Sequence, residues 1–239
     1  MSGFRSSGFR IAVLFLLVAL TGGIASANAQ MTRRSRRESN ANRQARIARN
    51  IQETYNHRVE LFGGIGYLRF RSGEYLQRNN EVTWATSATY YLNPKLGIIG
   101  DIRGGYGNAK VGNTIYNIGN PLITEYTFMA GPSYRFYAKQ KWAASAHVLA
   151  GYSLGNFDGG SKAIPANLLG MWNTSNRPVF SAGVNLDYNF YPNLAMRVTP
   201  TYVGTTFNST DPSSGKSIGT IQNNLGFNIG VVYRFGKIK

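Results

Sequence analysis

Three features common in other protein classes are missing from this sequence. It contains no cysteine, so neither a disulfide framework nor a thiolate metal site can form. It contains only two histidines, His57 and His147, and no histidine–glutamate spacing of the kind that holds catalytic zinc. No apolar run reaches the roughly 20 residues that a transmembrane helix needs. These absences argue against disulfide-stabilised, zinc-dependent and helical membrane proteins.

Acidic residues are also scarce. Ten Asp and Glu against 26 Lys and Arg give a formal net charge of +16, which by itself suggests a nucleic-acid partner. The charge is unevenly distributed, however: residues 1–29 carry +2, residues 30–58 carry +6, and the long remainder carries +8. The densest positive charge therefore belongs to a short N-terminal segment.

Residues 1–29 have the pattern of a secretory signal peptide. Arg5 and Arg10 form a positive start, residues 11–20 form a short apolar run, and Ala27-Asn28-Ala29 matches a cleavage site. We expect cleavage after Ala29, so that the mature chain begins at Gln30 outside the cytoplasm. This location argues against a nucleic-acid partner.

Residues 30–58 form a basic arm with eight arginines. Its small and apolar residues recur at three- and four-residue steps, a weak helical stripe made of Ala41, Ala45, Ala48, Ile51 and Tyr55. One interpretation is a solvated, partly helical periplasmic leader without a specific role. The other is an electrostatic contact with an anionic envelope surface.

From Val59 onward, apolar residues alternate with small or polar ones, as expected for β-strands that have one apolar face. The clearest example is the hairpin 81–107, whose arms of about eleven residues are long enough to cross a bilayer when tilted. The pattern predicts eight strands, at 59–70, the two hairpin arms, 124–138, 142–154, 179–190, 194–207 and 221–235.

The connections between these strands alternate in length. Short turns at 93–95, 139–141 and 191–193 alternate with long polar segments at 71–80, 110–123, 156–178 and 208–220. This asymmetry is typical of an outer-membrane barrel, with short periplasmic turns and long outer loops. We predict an all-β, eight-stranded antiparallel up-and-down transmembrane barrel over residues 59–236, followed by a tail at 237–239. Both termini should lie at the short-turn end.

The polar face of the strands distinguishes a membrane barrel from a soluble one, because a soluble barrel exposes that face to water and covers it with lysine. All eight lysines lie instead in turns, loops or the tail. The charges on the polar face are balanced, which suits an enclosed interior where charges must pair. The predicted interior charge network is Glu60, Asp101, Arg103, Glu125, Arg135, His147, Asp187, Arg197 and Arg234.

Aromatic residues fall on the apolar face in two bands, which is typical of the interfacial girdles of a membrane barrel. The band near the short turns contains Tyr90, Phe136, Trp142, Tyr188, Phe190, Tyr233 and Phe235. The band near the loops contains Trp84, Tyr106, Tyr126, Tyr152, Phe180 and Tyr202. The alternative is the aromatic core of a soluble sandwich or barrel. Pro132 and Pro200 lie inside strands, and we expect bulges there or positions beyond the paired register.

The signal peptide, the segment 59–68 and the closing segment Gly230-Val231-Val232-Tyr233-Arg234-Phe235 resemble the small outer-membrane β-barrel proteins of Gram-negative bacteria, the OmpA-like and OmpX-like porin family. The resemblance spans about residues 58–236. It implies an outer-membrane location and membrane lipids as partners. We expect no cofactor, and the shortage of histidine and cysteine predicts no bound metal. Some similar barrels are lipid-modifying enzymes with a histidine on the lipid face, whereas His147 has interior parity, so we expect no enzymatic activity.

These patterns predict an integral outer-membrane protein, with a monomer favoured, whose rigid barrel carries four mobile loops and whose interior charges act as a plug. The first alternative is a narrow channel for small solutes, with the same charges setting its selectivity. The second is an adhesin or binding module that acts through the longest loop, Asn156–Pro178.

Overall fold

A computed structural model describes residues 40–112 and 118–238. The predicted signal peptide, the first ten residues of the arm and Lys239 lie outside this range. Among the residues described, no helix is both long and apolar enough to cross a membrane. The elements are α1 (Asn40–Tyr55), β1 (Val59–Arg71), β2 (Arg78–Tyr91), β3 (Leu96–Asn108), β4 (Leu122–Ala138), β5 (Trp142–Gly159), a short 3-10 helix (Ala166–Leu169), β6 (Ser175–Tyr191), β7 (Leu194–Thr205), β8 (Ser209–Thr210), β9 (Ser217–Ile218) and β10 (Gln222–Phe235).

Eight of these strands close into an antiparallel barrel. Their order around the barrel is β1-β10-β7-β6-β5-β4-β3-β2, and β1 also pairs with β2. Each strand therefore lies beside its neighbour in the chain, and β1 and β10 close the ring. The predicted eight-stranded up-and-down barrel with a short N-terminal helix is confirmed.

The two ends of the barrel differ as the connection lengths predict. Two to four residues join β2 to β3, β4 to β5 and β6 to β7 at one end, and the long connections lie at the other. Val59, the first residue of β1, pairs with Tyr90 near the end of β2 and with Phe235 at the end of β10. The chain therefore enters and leaves the barrel at the short-turn end.

Several strands continue further toward the loops than their sequence pattern predicts. The segment 156–178 was expected to be a loop, yet β5 runs to Gly159 and β6 begins at Ser175. In a closed barrel every strand has two hydrogen-bonding neighbours, so the ladder continues through polar residues that give no apolar alternation. The loop at 208–220 contains the small hairpin β8–β9.

Pro132 and Pro200 differ from their prediction. Neither lies at a bulge or beyond the register: Pro132 pairs with Ile98 of β3, and Pro200 pairs with Phe227 of β10. On its other side each proline lies in a short gap in the ladder, after which pairing resumes in the same register. Because proline lacks an N–H, one rung is lost there without an inserted residue.

The apolar face of the strands points outward. Ile65 is 66% exposed, Val82 is 70% exposed and Val148 is 61% exposed, although each lies inside a strand. Between the two aromatic bands no outward-facing position of the eight barrel strands carries a charge. An apolar belt without charges is stable only when it is covered by lipid.

The described loop residues form a common apolar core at the loop end of the barrel, and the mobility expected of the loops stays a prediction. Trp172 is fully buried at this core, and its indole Nε1 donates a hydrogen bond to the Arg71 carbonyl at 2.7 Å. The other buried members come from several loops and strand ends: Phe70, Ala109, Ile118, Ile123, Phe157, Ala166, Leu169, Met171 and Phe207. We call this group the loop core.

We expect Trp172→Ala to loosen the loop core without unfolding the barrel. Truncating a buried tryptophan costs about 3–5 kcal/mol, and here the lost contacts are confined to the loop end. Limited trypsin digestion of the refolded protein should cleave faster at the loop residues Lys162 and Lys216, while heat-modifiable gel mobility still reports a closed barrel.

The matched control is Leu168→Ala in the same loop, because Leu168 is 40% exposed. It should leave the digestion rate unchanged. Equal digestion of Trp172→Ala and the wild-type protein would show that Trp172 does not hold the loops.

Candidate functional site

The interior of the barrel contains all nine residues of the predicted charge network. Each is buried, with at most 9% of its surface exposed. The structure brings five of them into one cluster near the short turns and leaves four outside it. We call the five the ion cluster: Glu60, Arg135, Asp187, Arg197 and Arg234.

Glu60 of β1 lies at the centre of the ion cluster and accepts hydrogen bonds from three arginines. Its Oε1 accepts from Arg234 Nε at 2.8 Å and from Arg135 Nη2, and its Oε2 accepts from Arg197 Nη2 at 2.8 Å. Charge-assisted bonds of this kind are stronger than neutral ones. They offset the several kcal/mol that removing a carboxylate from water costs.

Asp187 of β6 is the second acidic member of the ion cluster. Arg197 donates two hydrogen bonds to its carboxylate, from Nε at 2.6 Å and from Nη2 at 2.8 Å. Arg234 Nη2 donates a third at 2.8 Å. Strand register positions both acids, since Asp187 pairs directly with Arg197 and Glu60 pairs directly with Arg234. Two acids and three arginines leave the ion cluster with one excess positive charge.

Two tyrosines that the sequence analysis did not assign to the interior complete the ion cluster. The Arg135 guanidinium lies 4.2 Å from the ring centre of Tyr91 and 4.9 Å from that of Tyr55. Tyr91 also donates a 3.3 Å hydrogen bond to Glu60 Oε2. The excess charge is thus covered by aromatic faces, a favourable arrangement for a desolvated guanidinium.

Tyr55 closes the short-turn end of the barrel from the last residue of α1. Its hydroxyl donates to the Lys139 carbonyl at 2.5 Å and accepts from Asn189 Nδ2 at 2.8 Å, and Asn189 Oδ1 accepts from Arg234. Burial raises the pKa of the Tyr55 hydroxyl above its usual value, so the group keeps its proton. The helix end is therefore attached directly to the ion cluster.

The remaining predicted interior charges do not join the ion cluster. Arg103 Nε donates to Asp101 at 2.6 Å, which makes a separate pair on β3. Glu125 accepts a 2.6 Å bond from Ser153, and no arginine in the described part of the chain lies within ion-pair distance of it. His147 packs against Gly183, and neither of its ring nitrogens has a hydrogen-bond partner among the described residues.

Glu81 of β2 is a further buried interior acid that the sequence analysis left out. It is fully buried, and it brings the number of buried interior acids to five. The alternation of side chains along β2 would have predicted this position, because Glu81 lies on the same strand face as the interior residues Thr83 and Ser87. Arg177 of β6 also has interior parity and is half-buried, so the sequence analysis left out one interior acid and one interior arginine.

Side chains fill the space around these groups. A cavity of about 10 Å³ lies beside Asp101, Arg103, His147 and Arg197, and a cavity of about 30 Å³ lies nearer the loops beside Glu125 and Thr127. Spaces of this size hold no more than one or two water molecules. Within residues 40–112 and 118–238, no three His, Asp or Glu side chains are grouped so that they could hold a metal ion.

The thirteen predicted girdle aromatics all lie on the outer face. Nine are exposed, and Trp84, Tyr126, Tyr188 and Tyr202 are half-buried against neighbouring rings. Trp142 and Tyr188 pair across strands with ring centres 4.9 Å apart near the short turns. Tyr106 and Tyr126 share a 2.7 Å hydroxyl contact near the loops.

Solved structures of other proteins share this architecture. OprG, an outer membrane protein of Pseudomonas aeruginosa, has a TM-score of 0.51 and 12% identity, over 74% of this chain and 95% of OprG. The chain has the fold of the small eight-stranded outer-membrane β-barrels.

Two further outer-membrane barrels of this kind align over similar lengths. Ail, the attachment invasion locus protein of Yersinia pestis, has a TM-score of 0.48 and 15% identity, over 75% of this chain and 99% of Ail. Neisserial surface protein A has a TM-score of 0.48 and 14% identity, over 74% of this chain and 97% of its own. No protein-family model and no curated protein sequence matches this chain.

We expect Glu60→Gln to lower the free energy of unfolding by about 3–5 kcal/mol, because it leaves three buried arginines with Asp187 as their only acid. The measurement is urea unfolding of the barrel refolded into lipid vesicles, followed by tryptophan fluorescence.

Glu74→Gln is the control, since Glu74 lies at the loop end and its carboxylate accepts a 3.1 Å bond from the neutral Thr220 hydroxyl. It should change the free energy by less than about 0.5 kcal/mol. If Glu60→Gln unfolds at the same urea concentration as this control, the ion cluster contributes nothing to stability.

Proposed function

We propose that this chain is an integral outer-membrane barrel that is closed to solutes and serves as an anchor for the structure at its loop end. The observation that carries the proposal is the filled interior, in which the ion cluster and Tyr55 occupy the short-turn end. The role is non-catalytic. Cleavage of a signal peptide near Ala29 and a monomeric state remain predictions.

The outer surface supports a membrane location. The exposed apolar belt has no charge between its aromatic bands, and two such bands are typical of the levels at which lipid headgroups meet the acyl chains. Insertion of this belt into lipid supplies the anchorage. The charges that would be costly in lipid are kept on the inner face.

The closed interior favours an anchor over the channel that the sequence analysis left open. Conduction requires a continuous water path lined by groups that bind ions weakly. Here Arg135, Arg197 and Arg234 are held by carboxylates at one end, and the loop core covers the other. A pocket of about 530 Å³ opens at the short-turn end beside Tyr55 and Arg135, but the spaces found deeper in the interior measure only about 10 and 30 Å³.

Planar-bilayer recording tests the closed state. The refolded wild-type protein should give no steady current in concentrated KCl, because the interior spaces of about 10 and 30 Å³ are too small to form a continuous water path. Insertion must be confirmed in the same preparation by heat-modifiable gel mobility.

A large, steady current from the wild-type protein would overturn the proposal. If Arg135→Ala or Arg197→Ala then changed the ratio of cation to anion permeability relative to the wild type, the interior would be a selective channel.

A second candidate function is binding through the loop end. The loop core favours it, because ordered loops present a fixed surface. The loop after β1 contacts the loop after β5 so closely that a Cβ atom on Gly73 would lie 1.9 Å from the Gly170 carbonyl oxygen. These two loops expose Tyr75, 88% of whose surface is accessible, and Leu168.

The double variant Tyr75→Ser/Leu168→Ser tests this second function more cleanly than deletion of residues 156–178, which would remove Trp172 and the loop core. Bacteria that display the protein should lose attachment to an epithelial cell layer when both apolar side chains are removed. Gly112→Ser is a matched control, because its site has open space. Unchanged attachment by the double variant would exclude this surface.

We also propose that the basic arm contacts an anionic envelope surface. The described part of the arm carries Arg43, Arg46 and Arg49 on α1, with Glu53 as the only acid there. A basic helix beside a membrane is attracted to anionic headgroups by about 1 kcal/mol for each basic residue near the surface.

A further inference from the structure

Two buried carboxylates lie on opposite sides of β3 near the loop end of the interior. Glu81 of β2 pairs with Gly107, and Glu125 of β4 pairs with Gly105. Glu81 is fully buried, and Glu125 is 3% exposed. The β3 residues that face the two acids are therefore glycines, so no β3 side chain lies between the two carboxylates at these positions.

The two glycines give the Glu81 side chain its space. A Cβ atom on Gly107 would lie 2.6 Å from Glu81 Cγ, and a Cβ atom on Gly105 would lie 2.8 Å from Glu81 Oε2. Any other residue at either position would push the carboxylate away. The Glu81 carboxylate thus reaches across β3 towards the strand that carries Glu125.

These two acids differ from the other interior acids in their partners. Glu60, Asp101 and Asp187 each contact an arginine, whereas Glu81 and Glu125 form no ion pair among the described residues. Glu81 Oε1 accepts a 3.3 Å bond from Asn79, and Glu125 Oε1 accepts a 2.6 Å bond from Ser153. The other oxygen of each carboxylate is buried and has no partner in the described protein.

A cavity of about 30 Å³ adjoins Glu125 and is also lined by Thr127 and by Gly105, the glycine that the Glu81 carboxylate approaches. The Thr127 hydroxyl is buried there without a hydrogen-bond partner, which is an observation independent of the two acids. Arg103 also lines the cavity, but its Nε is bound to Asp101. Beside Glu81, the amide oxygen of Asn79 is likewise buried and unpartnered.

We propose that Glu81, Glu125 and Thr127 form a binding site for one hard cation of the alkaline-earth or alkali class. Isolated buried carboxylates are costly unless a positive charge accompanies them. The available donors are all oxygen atoms, the ligand type that Ca²⁺, Mg²⁺ and Na⁺ accept and that softer metals do not prefer. Two carboxylates balance the charge of one divalent ion, and the cavity beside Glu125 and Thr127 has room for a single ion or its water.

Equilibrium dialysis of the refolded full-length protein against radiolabelled CaCl₂, with a parallel NaCl series, tests the site. The wild-type protein should retain one calcium ion per chain, and Glu81→Gln/Glu125→Gln should bind calcium at least about tenfold more weakly.

Thermal unfolding is the second measurement. In EDTA the double variant should unfold at a higher temperature than the wild type, because two unpaired buried charges have been removed. Added CaCl₂ should raise the unfolding temperature of the wild type only.

Glu74→Gln is the matched control, because it removes an acid from the same end of the barrel outside this site. It should keep both the bound ion and the calcium response. Retention of no cation by the wild-type protein, or equal retention by the double variant, would overturn the proposal. The wild-type unfolding temperature could instead rise on acidification from pH 8 to pH 5 and stay unchanged when CaCl₂ or NaCl is added. That result would overturn the cation site and show that the two carboxylates share a proton.

Discussion

The burial of the Glu60 carboxylate is the constraint on which the interior depends. Glu60 lies on β1, and its hydrogen-bond donors come from β2, β4, β7 and β10, so one side chain links strands from around the ring. A carboxylate in this position is tolerated only while its donors stay in place. The register of the strands and the closed state of the interior are therefore coupled through one group.

The need to keep charged side chains away from lipid explains which side chains face outward and which face inward. The strands place apolar side chains against the membrane and must place their polar side chains inside, where there is little water. Arginine suits this interior because its guanidinium binds carboxylates through several hydrogen bonds at once and stacks on aromatic rings. Tyr55 covers the short-turn end and the loop core covers the loop end. We therefore infer a barrel that is closed to solutes and that supports the surface at its loop end.

Strand parity predicts much of this structure from sequence. The alternation of Val82, Trp84 and their neighbours places the lipid-facing side, and loop lengths place the two ends. Parity also assigns Glu60, Asp187 and Arg197 to the interior, although their grouping depends on strand register, which no local pattern encodes.

Other features have no periodic signal. Tyr55 belongs by pattern to a helical stripe, and only the return of the chain to the barrel end shows that its ring covers Arg135. Trp172 lies in a polar segment whose composition suggests a mobile loop. Its burial depends on Phe70, Phe157 and Phe207, which come from distant strand ends that meet only when the barrel closes.

Hydrogen–deuterium exchange of the arginine side chains tests the sealed interior most directly. The protein would be refolded into lipid nanodiscs and transferred to D₂O, and the guanidinium N–H signals would be followed by NMR. The N–H groups of Arg135, Arg197 and Arg234 should persist long after those of the exposed Arg69 have disappeared. Loss of all four sets of signals at the same rate would show that water reaches the ion cluster freely, and it would contradict a closed barrel.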